Sequence, residues 1–412
     1  MITVSNDKEL AIVIWLSCVK NFNGSLGIRL LDYFGNAEEC FNATDAHLKS
    51  ILPPRAYGAF IEARKHPPEE IMEDMLKKDI KFTSCFSDDF PKKLKNIPDA
   101  PLGLFYKGVL PENSIPAVAI IGARECSEYG AHIARELGSY LGKSGIYVIS
   151  GMARGTDGIS QAAAVAAGGQ SFGVLGSGVD VCYPRENRSL YNSLTEAGGI
   201  LSTYAPGEPA IAANFPPRNR IVSGLSDAVV VIEARQKSGT LITVDMALEQ
   251  GRDVYAVPGR IIDRLSDGCN GLIGQGANVF LSPEIFLTEL LGSIESKRIS
   301  SENSVIDDMG NVEDNISEVG TITRQTNPPG SDNKISKLHR HFEGEGKIPP
   351  GLTEEQQPVY LLLDIIPKSV EEINSKLPEE YDYSYTSMIL MQLVLDGYAN
   401  QISQSSFSKK LI

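Results

Sequence analysis

The chain has 412 residues, 42% of them hydrophobic, and a formal net charge of −14. At about 100–200 residues per domain this is a length for two to four domains, and no apolar run approaches the ~18 residues that a membrane span needs. The acidic balance weighs against general affinity for nucleic acid and would confine such binding to a local, salt-dependent cluster of cations. Cys18, Cys40, Cys85, Cys126, Cys182 and Cys269 show no CxxC spacing, so neither a metal site nor a disulfide framework is implied. The first residues lack a basic segment ahead of Leu10–Leu16 and a small-residue cleavage site. No signal peptide is therefore expected, and the cytoplasm is the expected location.

Residues 1–65 read as a small helical module, with helical spacing over Glu9–Cys18, Gly24–Phe34 and Ala46–Ile51. Breaks fall at Asn21-Phe-Asn-Gly24, Gly35-Asn36 and Pro53-Pro54. Ser25–Gly35 resembles half of a helix-hairpin-helix, whose glycine turn can touch a DNA backbone; plain helix packing is the alternative. Residues 66–113 form a bridge with a helix over Glu69–Lys78, a short strand at Lys81–Thr83 and a strand around Leu102–Tyr106.

From Ser114 to Leu290, short β-branched runs alternate with helical patterns. Pro116-Ala-Val-Ala-Ile-Ile121, Ile146-Tyr-Val-Ile149, Phe172-Gly-Val-Leu175 and Ala228-Val-Val-Val-Ile232 each run into a loop of glycine, small hydroxyls and basic residues. This repeat predicts an α/β domain over residues 66–292, a doubly wound parallel sheet with helices on both faces. The loops at the carboxyl ends of such strands gather on one edge and form the binding site.

Each loop on that edge offers something to a phosphate. After the first strand, Gly122 lets the backbone approach closely, Arg124 can make a bidentate contact, and Ser127 can cap a helix whose N-terminus attracts anions. Gly151 and Arg154 lie in Ser150–Asp157, where Asp157 reads as a helix cap. After Tyr183-Pro184, Arg185 or Arg188 can reach a phosphate, and Asn187 either caps the next helix or reads a base edge. Phe215, Arg218, Asn219 and Arg220 stand together in Asn214–Arg220; Phe215 can stack on a base or plug the loop from beneath. Lys237, Ser238, Gly239 and Thr240 form a further anion nest.

The glycines match neither the dinucleotide fingerprint nor the P-loop spacing, so no cofactor and no nucleotide triphosphate hydrolysis are expected. His132, inside a helical pattern, is the one histidine between Ser114 and Leu290, and no carboxylates are paired across a loop. No catalytic residue is assigned.

Residues 293–351 lack hydrophobic periodicity and are rich in Ser, Asn, Asp, Glu and Gly, the composition of a disordered linker. Residues 352–412 recover a core pattern with helices Glu355–Leu363, Val370–Leu377 and Tyr385–Leu395. A hairpin follows at Gly397–Ile402 and Ser406–Leu411, giving a winged-helix candidate. Met388, Met391 and Leu395 are expected in its core. The predicted third helix carries no Lys or Arg, so a protein-contacting module is expected rather than a DNA reader.

Together the motifs resemble the DNA-processing protein A (DprA/Smf) family. They are Ile121-Gly-Ala-Arg124 with Tyr129-Gly130, Ile149–Asp157, Asn214–Ser226, Lys237–Thr243, Glu249–Gly259 and Gly268–Ala277. The resemblance implies an extended Rossmann domain that binds single-stranded DNA, protects it and helps load RecA recombinase in natural transformation. It implies no catalytic step, a homodimer through the sheet domain near Leu272, Ile273 and Val279, and basic contacts at Arg124, Arg185 and Arg218-Asn219-Arg220. It also fits a helical sterile-alpha-motif-like module and a winged helix on the flanks. Ala123 and Pro217 depart from the family's more common serine and basic residue. The competing expectation is an enzyme similar to the plant LOG nucleoside-monophosphate phosphoribohydrolases, but Thr243 stands where those need a glutamate.

Overall fold

The computed structural model describes residues 7–20, 22, 24–310, 349, 352, 353, 355–363, 368–378, 381–401 and 406–409, with 299–310 as backbone alone. The chain divides into two compact units, Met1–Pro283 and Glu284–Ile412.

The first unit opens with six helices: α1 Asp7–Ser17, α2 Gly24–Phe34, α3 Ala37–Asn42, α4 Asp45–Ile51, α5 Pro54–Ala63 and α6 Pro68–Lys77. Two of them, α3 and α5, go beyond the sequence reading. Pro54 looked like a breaker, yet it stands in the first turn of α5, where its missing N–H leaves no bond unmade. Asn36 starts α3 by accepting the Glu39 N–H at 2.7 Å. The module closes around Trp15, whose ring meets Phe41 and Phe60 edge-on at 5.0 Å each. A second buried cluster joins Ile14 and Met75 of this module to Phe105, Met152 and Leu175 of the sheet region.

The start of α2 is used for packing. A Cβ at Gly24 would lie 1.9 Å from the Ala100 carbonyl oxygen, and Ser25 donates to Asp99 through its N–H at 3.3 Å and its hydroxyl at 2.7 Å. Gly35, at the other end of the stretch, is exposed at φ +81° with nothing within 4 Å of where a Cβ would stand.

The sheet has nine strands in the order β1-β2-β6-β5-β4-β3-β7-β8-β9. They are β1 Lys81–Ser84, β2 Gly103–Gly108, β3 Ala117–Ile121, β4 Tyr147–Ser150, β5 Ser171–Val174, β6 Gly198–Ser202, β7 Ala228–Val231, β8 Asp253–Ala256 and β9 Asn278–Val279. Between them lie α7 Lys92–Lys95, α8 Glu128–Lys143, α9 Thr156–Ala166, α10 Arg188–Glu196, α11 Phe215–Gly224, α12 Gly239–Glu249 and α13 Asp267–Gly274. Strands β3 to β9 are mutually parallel, as the alternating pattern predicts. The bridge adds β1 and β2 to one edge in antiparallel register. Val118, Val148, Ile149 and Val229–Val231 are fully buried, because helices cover both faces and leave no polar side.

Chain order reverses at β3. From it the chain steps to β4, β5 and β6, then returns through α11 to β7 on its other side. The crevice outside the carboxyl ends of β3 and β7 is the switch point of a doubly wound sheet.

In the second unit, α14 spans Pro283–Gly310 and so runs past residue 293, where the linker was expected to begin. No Gly or Pro interrupts Ser293–Met309, and Arg298 bonds back to Glu295 at 2.6 and 3.0 Å. The rest of the expected linker, residues 311–348, lies outside the described residues.

Further on are α15 Gln356–Leu362, β10 Lys368–Ser369, α16 Val370–Asn374, α17 Tyr383–Leu395, β11 Ala399–Gln401 and β12 Ser406–Lys409. The strands pair antiparallel in the order β10-β12-β11. The core of this part is Val359, Val370, Ile373, Ile389, Leu390, Leu393 and Phe407. Met388, Met391 and Leu395, expected inside, are 57, 45 and 79% exposed. Among the described residues no helix is long and apolar enough to cross a membrane, and no His, Cys, Asp or Glu group could hold a metal.

Candidate nucleic-acid interface

The switch-point crevice is a cavity of about 280 Å³ lined from four separate places in the chain. Gly122, Ala123 and Arg124 follow β3; Gly151, Ala153 and Asp157 follow β4; Phe215, Arg218 and Asn219 come from α11; Ser238, Gly239 and Thr240 open α12. Nine of the residues expected at the site from sequence alone therefore meet in one place: Gly122, Arg124, Gly151, Phe215, Arg218, Asn219, Ser238, Gly239 and Thr240.

Two of the helices arriving at this edge differ in what their N-termini offer. At α8, Ser127 caps Gly130 N–H at 3.1 Å, as expected. The Ser127 N–H and hydroxyl both donate to the carboxylate of Glu233, at 2.8 Å for the N–H. Glu233 is 1% exposed and reaches across from the end of β7. This N-terminus already holds its anion, which corrects the expectation that it receives a phosphate. The N-terminus of α12, by contrast, opens onto the cavity. Ser238 caps it by accepting Thr240 N–H at 3.2 Å, and the Thr240 hydroxyl ties it to the Gly122 carbonyl at 3.2 Å.

The two arginines in the cavity have different duties. Arg124 is exposed, with its guanidinium carbon 5.4 Å from the centre of the Phe215 ring. Arg218 is 5% exposed and donates to the carbonyls of Gly151, at 2.7 Å, and Val174. Burial pushes its guanidinium down to about 10, and the facing charge of Asp157 only partly opposes this. Burial likewise pushes the Asp157 carboxyl up, against Arg218 and the Gly151 N–H, which donates to it at 3.1 Å. Asp157 is not the cap of α9: Gly155 holds that position at φ +68°. The floor thus holds a buried guanidinium fixed by backbone carbonyls, with the Asp157 carboxyl nearby, and the free positive charge is at the rim.

Phe215 is half-buried, and its ring faces Tyr183 at 5.7 Å as well as both arginines. Tyr183, 45% exposed, was not singled out from the sequence, although its place two residues before Arg185 was a signal.

The remaining expected residues lie outside the cavity. Arg154 is paired with Glu186, bonding at 2.9 Å. Asn187 donates to the carbonyls of Met152 and Ala153 at 2.9 and 3.1 Å, so it props the loop after β4 instead of capping through its side chain or reading a base. Arg185 and Lys237 are exposed. Arg220, expected at a phosphate, faces the other way: it donates to the Asp99 carbonyl and lies 3.5 Å from the Asp99 carboxylate. Leu272 and Ile273, expected at a dimer face, pack partly buried against the sheet core, while Val279 is 37% exposed.

Residues 81–291 match the family model described as DNA recombination-mediator protein A. The chain is 43% identical over 206 residues to the DNA processing protein DprA of Streptococcus pneumoniae, covering 50% of this chain and 73% of that one. It is 38% identical over 294 residues to Protein Smf of Synechocystis, covering 70% of this chain and 74% of that one. The X-ray structure of DNA processing protein A from Streptococcus pneumoniae superposes with a TM-score of 0.58 at 35% identity, over 66% of this chain and 94% of that one.

Proposed function

The chain belongs to the DNA recombination-mediator protein A family, and on that premise we propose that it binds single-stranded DNA along the switch-point edge of its sheet. The observation that carries this reading is the cavity itself, where an exposed Arg124, the half-buried Phe215 ring and the open N-terminus of α12 converge. A phosphate seats against Arg124 and the first turn of α12, and a base packs on Phe215, with Tyr183 beside it. Arg185 and Lys237 continue the positive rim on either side.

The site is read as non-catalytic. Asp157 is the one carboxylate lining the cavity among the described residues, and it accepts the Gly151 N–H. Thr243, in the place of the glutamate that a phosphoribohydrolase needs, is buried. The biological role that follows is DNA processing in transformation and recombination within the cytoplasm, with the bound strand protected and passed to RecA recombinase. We assign a homodimer to the face of α12 and β9, where Leu248, Val279 and Leu281 are 60, 37 and 67% exposed. The C-terminal part, read as a winged helix, serves protein contact.

Fluorescence anisotropy with oligo-dT and with duplex of equal length, across a salt series, tests the reading. Tighter binding of oligo-dT that weakens steeply with salt is expected. Equal affinity for duplex, or release of adenine from AMP by the same preparation, overturns it.

A further inference from the structure

Asp99 sits where two distant parts of the first unit meet. It lies between α7 and β2 with φ +52°, a left-handed conformation that Asp adopts more readily than most residues. Its carboxylate accepts the N–H and hydroxyl of Ser25, at 3.3 and 2.7 Å, and so occupies the N-terminus of α2. Its carbonyl accepts Nη1 of Arg220, whose side chain is only 16% exposed. At the backbone of the same residue, Nε2 of Gln250, which caps the end of α12, donates to the Arg220 carbonyl at 3.0 Å.

Helix α11 is therefore held at Arg220 through its side chain and its backbone. Residues two apart on a helix point to different faces, so while Arg220 faces Asp99, Arg218 faces the cavity. Pro216 and Pro217 fix the first turn of the same helix, and the anchor at Arg220 adds to the bonds of Arg218 with Gly151 and Val174 in setting where Phe215, Arg218 and Asn219 stand.

We infer that Asp99 and Arg220 form a pin that positions α11 for single-stranded DNA and couples that position to the helical module through Ser25. They are positioning residues and touch no phosphate. The inference rests on the cavity being the DNA site.

The test uses the full chain and fluorescent oligo-dT, with Arg124→Ala as the reference for a direct phosphate contact. Arg220→Ala and Asp99→Gly, the latter keeping the left-handed backbone, are each expected to weaken binding about threefold to tenfold. Together they weaken it by less than the product of the two single losses, because Arg220→Ala already removes the carboxylate contact that Asp99→Gly removes, along with the bond to the backbone carbonyl. Arg220→Lys regains part of the loss. The slope of log K against log salt stays at the unaltered value in all of these, whereas Arg124→Ala makes it shallower by roughly 0.7.

A slope change of that size in Arg220→Ala would make Arg220 a phosphate ligand and overturn the pin. Additive losses in the double variant, or full affinity in both folded single variants, also overturn it. Should Arg220→Ala fail to fold, Ser25→Ala removes one hydrogen bond to Asp99 and little bulk. It is expected to weaken binding about twofold at unchanged slope, and unchanged affinity there overturns the coupling to α2. Absence of oligo-dT binding by the unaltered chain removes the cavity reading and the pin with it. Failure of the pin alone leaves wild-type and Arg124→Ala behaviour intact.

Discussion

Arg218 donates to the carbonyl of Gly151 at 2.7 Å across a gap with no room for a side chain on the glycine. A Cβ at Gly151 would stand 2.6 Å from both terminal nitrogens of Arg218 and 2.7 Å from a carboxylate oxygen of Asp157. Arg218 is too buried to swing away. Gly151→Ala is therefore expected to cost about 1–3 kcal/mol of stability, the range for overpacking. It should also lower oligo-dT affinity about tenfold by displacing the Arg218–Asp157 floor. Thermal unfolding and anisotropy check the two effects; an unchanged melting temperature would show that the floor is softer than its contacts imply.

Arg124 makes no ion pair among the described residues, so its charge is available at the rim. Arg124→Ala is expected to weaken single-strand binding by about 1.5–3 kcal/mol, the range for a charge-assisted hydrogen bond. The salt slope should become shallower by roughly 0.7, the change that follows when one phosphate is no longer neutralised. Affinity that falls without any change of slope would reassign Arg124 to packing on Phe215.

Arg154 differs, because Glu186 neutralises it in an exposed pair. Glu186→Gln releases that guanidinium and removes a carboxylate from the neighbouring loop. Affinity for oligo-dT is expected to rise about twofold to threefold at low salt, with the gain vanishing at high salt as screening takes over. Stability should not change, since exposed pairs contribute little. A loss of affinity would mean that Glu186 orients Arg154 for contact.

These contrasts mark how far the sequence could be read. The parallel strands were legible because β-branched runs such as Val229–Val231 end in glycine and hydroxyl loops, and the fold itself brings those loops to one edge. Which arginine faces the cavity was not. Asn214–Arg220 read as a loop, where Arg218 and Arg220 would share a mouth; in helix α11 they diverge. Nor could the sequence reveal that Glu233 fills the N-terminus of α8 from 106 positions away. Both outcomes depend on long-range partners with no local signature.

Asp180 gives the pH dependence a sign. Burial pushes its carboxyl up, but the Gly207 N–H, at 2.7 Å, and the Lys78 ammonium, at 3.0 Å, outweigh it and hold the group below its ordinary 3.8. A carboxyl depressed in the folded state stabilises it above the unfolded value, and that contribution is lost as pH falls through the folded value. Asp180→Asn is expected to be less stable by about 1–2 kcal/mol near neutrality. The gap should close once the pH falls below the depressed value. Denaturant unfolding of both proteins over an acid series checks this, and a gap independent of pH would assign the effect to packing of the loop after β5.

The final expectation concerns α17, where the hydrophobic pattern misled. Met388, Ile389, Leu390 and Met391 are consecutive, and Leu393, Val394 and Leu395 follow, so apolar residues surround the helix and periodicity cannot choose a face. The structure chooses Ile389, Leu390 and Leu393 for the core and leaves Met388, Met391 and Leu395 outside. Met388→Ser with Leu395→Ser should therefore shift stability by no more than about 0.5 kcal/mol per site, as for surface changes. Leu390→Ala should cost about 2–5 kcal/mol through reduced burial and the cavity left behind. The helix carries no Lys or Arg, so neither exposed substitution should alter affinity for oligo-dT or duplex. Measured on the full chain, a large loss of stability from the Met388 and Leu395 changes would return those side chains to the core, and a loss of DNA affinity would turn this helix from a protein-facing surface into a nucleic-acid one.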